Sequence, residues 1–317
     1  LRPKHPAMTK HRRATHRSRS AGVTLIELAI TIALVGILAA LIVNFVQPVR
    51  SYIDSSRRGA LADTADTALR RIGRDVRLAL PNSVRVVTVP PGPGGVIYLE
   101  FLLVRTGGRY RLEAAAATAT GCPGGAGVDP ALDVLSFSAA DDCFKTIGNL
   151  YSPPSDISKV VAGDFVVVFN LPTGTLNANA YESAAATGGN KSKVVSATNG
   201  AGEDRIVFEN HTFTFESPGR RFFIIEGPVT YACNPAAGTL TRYSGYAIAA
   251  AQPTPPGGAS VLLASGVTAP CTITYETSVA AQGAGLLTMS LRLSMQDSRG
   301  DTENVNLYHA VHVNNVP

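Results

Sequence analysis

The longest apolar segment of the chain lies between Val23 and Val46 and contains a single charged residue, Glu27. The stretch from Leu28 to Val46 would form about 28 Å of α-helix, close to the roughly 30 Å thickness of a bilayer hydrocarbon core. An ionised carboxylate in such a segment is unfavourable unless it has a partner. The pattern therefore predicts a transmembrane helix over residues 23–47, with Glu27 as a candidate functional residue.

A second helical pattern follows Pro48. Apolar residues recur at steps of three and four from Val49 to Leu80, and charged residues fill the other positions. This spacing predicts an amphipathic helix over residues 48–81 that packs on a domain. Pro48 is expected to kink or locally melt the helix, because proline lacks an amide hydrogen and clashes with the preceding turn. Pro81 and Asn82 are expected to end it.

Residues 82–317 carry many short runs of valine, isoleucine, tyrosine and phenylalanine, with strict alternation between Leu287 and Met295. Such runs predict a mainly antiparallel β domain and make the chain α+β. Loops are predicted at residues 89–95, 114–127, 183–202 and 253–258. Strands are predicted near residues 84–89, 96–104, 109–113, 133–138, 164–170, 205–216, 222–233, 239–250, 260–264, 272–276, 286–295 and 304–313.

The net charge of +5 is concentrated before the apolar segment. The basic residues of this leader, residues 1–22, are Arg2, Lys4, Lys10, Arg12, Arg13, Arg17 and Arg19, and the leader contains no acid. Without these seven, 21 basic residues face 23 acidic ones, so no nucleic-acid partner is expected. A basic flank instead predicts a cytoplasmic N-terminus and export of the remainder. Translation from Met8 would leave a shorter leader that is still basic.

Four cysteines lie in the exported part of the chain: Cys122, Cys143, Cys233 and Cys271. Four cysteines allow three pairings. We favour Cys122–Cys143 and Cys233–Cys271. Each bridge would close the loop-rich segment between its two cysteines, in an oxidising compartment. A zinc site is disfavoured because the sequence has no C-x-x-C motif.

The sequence contains none of the motifs H-E-x-x-H, G-x-S-x-G or G-x-x-x-x-G-K-[ST]. We therefore predict no catalytic residues, no cofactor and no enzymatic activity. His309 and His312 should lie on opposite faces of one strand, where they cannot share a metal ion. The acidic groups Asp297–Glu303 and Asp141–Asp142 are interpreted as polar loops rather than calcium sites, and His211 as a structural histidine.

Residues 22–28 read Gly-Val-Thr-Leu-Ile-Glu-Leu. This run, after a basic leader, resembles the N-terminal signature of type IV prepilins, in which phenylalanine usually stands at the position of Val23. The resemblance implies that a membrane-embedded prepilin peptidase cuts between Gly22 and Val23 and N-methylates Val23. It also implies that the Val23 amine of a neighbouring subunit pairs with Glu27 during assembly.

Four other segments look like those of O-type minor pilins of the MSHA pilus, which are related to J-type minor pseudopilins of type II secretion. They are residues 79–85, 227–233, 238–243 and 311–317. The resemblance implies a pilin-like lollipop in which the long helix packs on residues 82–317. It also implies assembly with major and minor pilins at an inner-membrane platform, so the protein would reside in that membrane and then in the periplasm or a surface pilus.

The sequence favours a low-abundance subunit that initiates or caps a filament, because a mature chain of 317 − 22 = 295 residues is large for the repeated subunit. Two alternatives stay open. One is a minor pseudopilin of a type II secretion system, which would form a short periplasmic piston. The other is a pilus-tip adhesin that binds through residues 114–127 or 183–202, although these loops lack aromatic clusters.

Overall fold

The computed structural model describes residues 22–113, 122–124, 127–128, 133–151, 159–182, 189–200, 202–277, 283–297 and 299–317. The basic leader and most of the predicted loop at 114–127 lie outside these residues. The chain divides into two compact units, Leu1–Ser55 and Ser56–Pro317. The fold is α+β, which confirms the predicted class.

One α-helix, α1, begins at Leu25 and ends at Arg77. Its backbone stays helical through Pro48, so the predicted local melting at this residue is wrong. A proline removes one backbone hydrogen bond from a helix, and long apolar helices tolerate that loss.

Within the described residues, the second unit contains all the strands. They are β1 (Arg85–Val89), β2 (Val96–Arg109), β3 (Pro123–Gly124), β4 (Gly127–Val128), β5 (Asp141–Lys145), β6 (Phe165–Val168), β7 (Lys191–Asn199), β8 (Asp204–His211), β9 (Arg221–Asn234), β10 (Thr239–Ser244), β11 (Ala259–Ser265), β12 (Val267–Glu276), β13 (Ala284–Gln296) and β14 (Thr302–Asn314).

The described strands form a nine-stranded sheet, a three-stranded sheet and a two-stranded ribbon. The large sheet follows the order β1-β2-β9-β6-β7-β8-β5, with β10 paired to β9 and β11 paired to β10. The small sheet has the order β12-β13-β14, and β3 pairs with β4. All pairs of named strands are antiparallel, as predicted.

The part of α1 that belongs to the second unit buries one stripe of side chains: Ala65, Ala68, Leu69, Ile72 and Val76. The spacing of three and four residues places them on a single helix face. They share one hydrophobic core with residues of both larger sheets, including Leu99, Phe101 and Tyr231 from the nine-stranded sheet and Leu291 and Val311 from the three-stranded sheet. This core is the predicted packing of an amphipathic helix on a β domain.

The helix ends at Arg77, four residues before the predicted end at residue 81, because the chain turns to pair with β2. The amide of Leu80 donates to the Leu102 carbonyl at 2.8 Å, and the amide of Val104 donates to the Leu78 carbonyl at 2.8 Å. Sheet hydrogen bonds thus replace the last helical turn.

Most predicted strands are present with shifted ends, but three predictions are wrong. Residues 133–138 form no strand, residues 109–113 contribute only the end of β2 and a bridge at Tyr110, and the predicted loop at 183–202 contains β7. The sequence of β7 is mostly polar, and the strand forms because β6 and β8 pair with its two edges. Strands β3, β4 and β5 are not predicted from the sequence, and β3 lies within the predicted loop at 114–127.

We predict opposite effects for two glycine substitutions in α1. A Cβ at Gly73 would lie 2.9 Å from His309 Nε2 and 3.1 Å from Val311 Cγ2, whereas one at Gly59 would have no neighbour within 4 Å. Gly73→Leu should therefore lower the free energy of unfolding by about 1–3 kcal/mol through overpacking. The matched change Gly59→Leu, at the open position, should raise it by up to about 1 kcal/mol through helix propensity. Denaturant unfolding of both variants tests this, and a Gly73→Leu protein as stable as the wild type would contradict the packing.

Candidate functional site

The candidate site is the start of α1, where residues 22–24 lead into the helix in irregular conformation. The Thr24 hydroxyl accepts a hydrogen bond from the amide of Glu27 at 3.3 Å. The Thr24 carbonyl accepts one from the amide of Leu28 at 3.1 Å. Thr24 is therefore the N-cap of the helix, because its side chain satisfies an amide that has no partner within the helix.

Glu27 lies three residues after this N-cap, in the first turn of α1. Thr-x-x-Glu is the sequence pattern of a capping box, and a negative charge near a helix N-terminus is stabilised by the helix dipole, typically by about 0.3–1 kcal/mol. From the sequence, Glu27 is predicted as an assembly residue only and Thr24 is not singled out, although the spacing of the two residues is a sufficient signal. Glu27 thus combines a local role in the helix start with its predicted role between subunits.

Gly22 and Val23 are exposed in the isolated chain, and a Cβ built at Gly22 meets no atom within 4 Å. The described part of the chain therefore places no steric demand on residue 22. Any requirement for glycine at this position would have to come from a protein that acts on the segment.

The apolar residues after the cap are exposed on every side of the helix. The stretch Leu25–Val43 contains 19 residues with a mean hydropathy of 2.7, and none of it is buried within the chain. By length and composition it is sufficient to cross a membrane. Such a surface requires an apolar environment, which a bilayer or other apolar helices can supply.

The sequence at this helix start matches a known family model. Residues 17–43 match the model described as the prokaryotic N-terminal methylation motif. The match supports a type IV pilin-like protein. Comparison with curated protein sequences and with solved structures gives no match. The motif implies processing by prepilin peptidase and assembly with other pilins, and the exposed apolar helix fits a single-pass inner-membrane anchor.

Two disulfides join the four cysteines in the pairs that the sequence analysis favours. Cys122 and Cys143 have Cα atoms 5.8 Å apart, and Cys233 and Cys271 have Cα atoms 6.7 Å apart. The second bridge connects β9 of the large sheet with β12 of the small sheet. Closing loops of this size stabilises a fold by about 3 kcal/mol each in the loop-entropy description.

The acidic groups considered for calcium are engaged with the backbone or with arginine. The Asp297 carboxylate accepts hydrogen bonds from the amides of Arg299 and Asp301, both at 2.8 Å, and Glu303 pairs with Arg58 at 2.7 Å. The Asp141 carboxylate accepts bonds from the amides of residues 136, 142 and 143. In the described part of the chain, no three His, Cys, Asp or Glu side chains are grouped to hold a metal ion.

The three histidines of the domain are separated from one another. His309 and His312 lie on opposite faces of β14, as predicted: His309 packs over Gly73 of α1, whereas His312 is exposed. His211 is buried, and its Nε2 lies 3.3 Å from the Gly189 carbonyl oxygen. Burial lowers the pKa of His211 and favours its neutral form.

A buried polar network surrounds Glu100 in the large sheet. Arg85 Nη2 donates to Glu100 Oε1 at 2.6 Å, and the Tyr246 and Thr230 hydroxyls donate to Oε2 at 3.2 and 3.3 Å. Burial raises the pKa of Glu100, and the Arg85 charge opposes that rise. The guanidinium of Arg85 also lies 3.7 Å above the ring centre of Tyr181. The network satisfies a carboxylate that would otherwise be costly to bury.

Two further networks fix the end of α1. The Tyr231 hydroxyl donates to Asp75 Oδ2 at 2.6 Å, and Arg242 Nε donates to the same oxygen at 3.1 Å. Beyond the helix, Asn82 adopts a left-handed conformation with φ of 62°, which asparagine tolerates. The backbone amide of Asn82 donates to Asn315 Oδ1 at 3.1 Å. The C-terminal segment therefore closes the turn after the helix.

Lys191 is a buried amine. Its Nζ donates to the Ala180 carbonyl at 2.6 Å and also to the Glu182 carbonyl. Burial is the main cause that lowers its pKa from 10.5 to about 8, and Glu182 opposes the shift. Because the folded protein binds this proton more weakly than the unfolded chain, the contribution of Lys191 to stability rises with pH between about 8 and 10.5.

We predict that this pH dependence disappears in Lys191→Met. Relative to that variant, the wild-type free energy of unfolding should rise by about 2 kcal/mol between about pH 7 and pH 9.5. The exposed Lys193 on the same strand provides the control, since Lys193→Met should retain the wild-type slope. Urea unfolding at a series of pH values measures the differences. The prediction would be contradicted if the free energies of unfolding of wild type and Lys191→Met changed in parallel with pH.

Proposed function

We propose that this protein is a minor type IV pilin of the MSHA type, a structural subunit that initiates or caps a pilus after cleavage by prepilin peptidase. The observation that carries the proposal is the methylation-motif match over residues 17–43. In that segment the exposed apolar part of α1 contains a single carboxylate, Glu27.

In the proposed pathway the basic leader stays in the cytoplasm, which orients the helix and exports residues 48–317. Prepilin peptidase cuts between Gly22 and Val23, and N-methylation of Val23 leaves a cationic amine. When apolar helices of several subunits pack together, an unpaired Glu27 carboxylate would cost several kcal/mol. The Val23 amine of a neighbouring subunit neutralises it and fixes the axial position of the incoming helix.

The MSHA assignment rests on the resemblance of residues 79–85, 227–233, 238–243 and 311–317 to segments of that subfamily. Residues 79–85 and 227–233 meet at Glu100, through Arg85 and Thr230. Residues 79–85 and 311–317 meet through Asn82 and Asn315. Segments that are distant in sequence thus contribute to connected contacts around the end of α1. The proposed role is structural and involves no catalysis.

Processing after Gly22 is tested by a bulky substitution. Gly22→Leu should leave uncleaved precursor in the inner membrane, because a side chain at the cleavage site obstructs close approach of the peptidase to the backbone. Gly36→Leu is the control, since residue 36 is equally open in the chain and should not affect cleavage. Mass spectrometry of the mature N-terminus measures the outcome. A wild-type N-terminus at any residue other than Val23 would refute the proposed site.

The assembly role of Glu27 is tested by Glu27→Gln, which removes the charge and keeps a residue compatible with the capping box. Membrane insertion and cleavage should remain, whereas the amount of protein in sheared surface fibres should fall at least about tenfold, because the charge pair is lost. Thr31→Val provides a control that removes a hydroxyl bonded within the helix without changing charge. Wild-type incorporation of Glu27→Gln would exclude the charge pair, and recovery of the wild type only in the periplasm would favour a secretion pseudopilin.

A further inference from the structure

Two arginines face each other directly across the pairing of β2 with β9. Arg109 and Arg221 are register partners in this antiparallel pair. Among the described residues, neither guanidinium takes part in an ion pair with a carboxylate. Like charges at directly opposed positions destabilise a sheet. The pair therefore presents positive charge with no paired carboxylate among the residues that the structure describes.

The same sheet face carries an aromatic ring beside the arginines. Because alternate residues of a strand share a face, Arg221 lies on the side of Phe223, and Arg109 on the side of Gly107. A Cβ at Gly107 would lie 3.1 Å from Phe223 Cδ1 and 3.0 Å from the Phe222 carbonyl oxygen. The missing side chain at Gly107 therefore gives the Phe223 ring room to lie against β2.

These residues border a surface groove of about 460 Å³. We call it the arginine groove and define it by Leu78, Val104, Gly107, Arg109, Arg221 and Phe223. Leu78 is 51% exposed, although it is a large apolar residue. Arg105 also borders the groove, but it is bound to Asp164 at 2.8 Å and lies 3.5 Å from Glu226. The groove thus has an apolar wall and a positively charged end.

We propose that the arginine groove binds an acidic peptide segment of another protein that also carries leucine or phenylalanine. Carboxylates of the peptide would pair with the forked guanidinium groups of Arg109 and Arg221. An apolar side chain of the peptide would cover Leu78 and Phe223. Inorganic anions and acidic polysaccharides match the charge but would leave the apolar wall in water. This inference goes beyond the proposed function, since it does not depend on processing at Gly22.

Binding is tested with the full chain in detergent and a fluorescent peptide of alternating glutamate and leucine. The peptide should bind saturably, and Arg221→Glu should raise its Kd at least about tenfold by reversing the charge at the groove. Arg299→Glu is the matched control, because it makes the same change at an exposed loop outside the groove, and it should leave the Kd within about twofold. No binding to the wild type, or equal loss in both variants, would overturn the proposal.

Competing probes and a stability measurement separate the ligand classes. A glutamate–serine peptide, polyglucuronate and sulfate should each compete much more weakly, and equal competition by any of them would overturn the peptide assignment. Arg221→Thr should weaken peptide binding and raise the thermal midpoint of the free protein, because it relieves the repulsion between the two guanidinium groups. A lower midpoint in Arg221→Thr would show that the two charges are already compensated in the free protein and would overturn the argument.

Discussion

The β domain depends on burial of one face of α1 between Ala65 and Val76. Fully burying a large aliphatic side chain contributes about 1.5–3 kcal/mol, and this face places Leu69, Ile72 and Val76 in the same core as residues of both larger sheets. The Cys233–Cys271 bridge joins those sheets beside the same core. Asp75, at the edge of the buried face, binds Tyr231 and Arg242, so the polar contacts fix the rotation of the helix that the apolar contacts hold in place.

Strand β9 extends from this core through the large sheet, where it pairs with three other strands. It pairs with β2 over nearly its whole length, while β6 and β10 share its other edge. Glu226, Gly227 and Pro228 separate those two pairings, and Pro228 has no amide hydrogen to donate. The Glu100 network, formed by side chains of β1, β2 and β9 together with Tyr246, lies close to this separation. The hydrogen bonds to Glu100 thus satisfy a buried carboxylate close to the place where strand pairing along one edge of β9 is interrupted.

The segment Leu25–Val43 of α1 has the opposite character, since its apolar surface is exposed and its one carboxylate, Glu27, has no basic side chain within the segment. A helix with these properties is incomplete as an isolated chain. It requires an apolar environment along its length, and the proposed pairing of Glu27 with the Val23 amine of a neighbouring subunit would place a cation near its first turn. Membrane insertion followed by helix packing between subunits is the proposed source of both. The exposed apolar helix and the methylation-motif match each support a pilin-like protein.

Local patterns in the sequence determined the membrane-spanning segment, the helical stripe, most strands and the candidate residues Gly22, Val23 and Glu27, because each depends on neighbours within a few positions. The sequence also contained the Thr24–Glu27 cap, although that signal was overlooked. Only the tertiary structure decided the existence of β7, because partner strands stabilise it rather than its own polar residues. The helix end at Arg77 and the facing pair Arg109 and Arg221 also required the structure, since both depend on strand register, and register joins residues that are far apart in the chain.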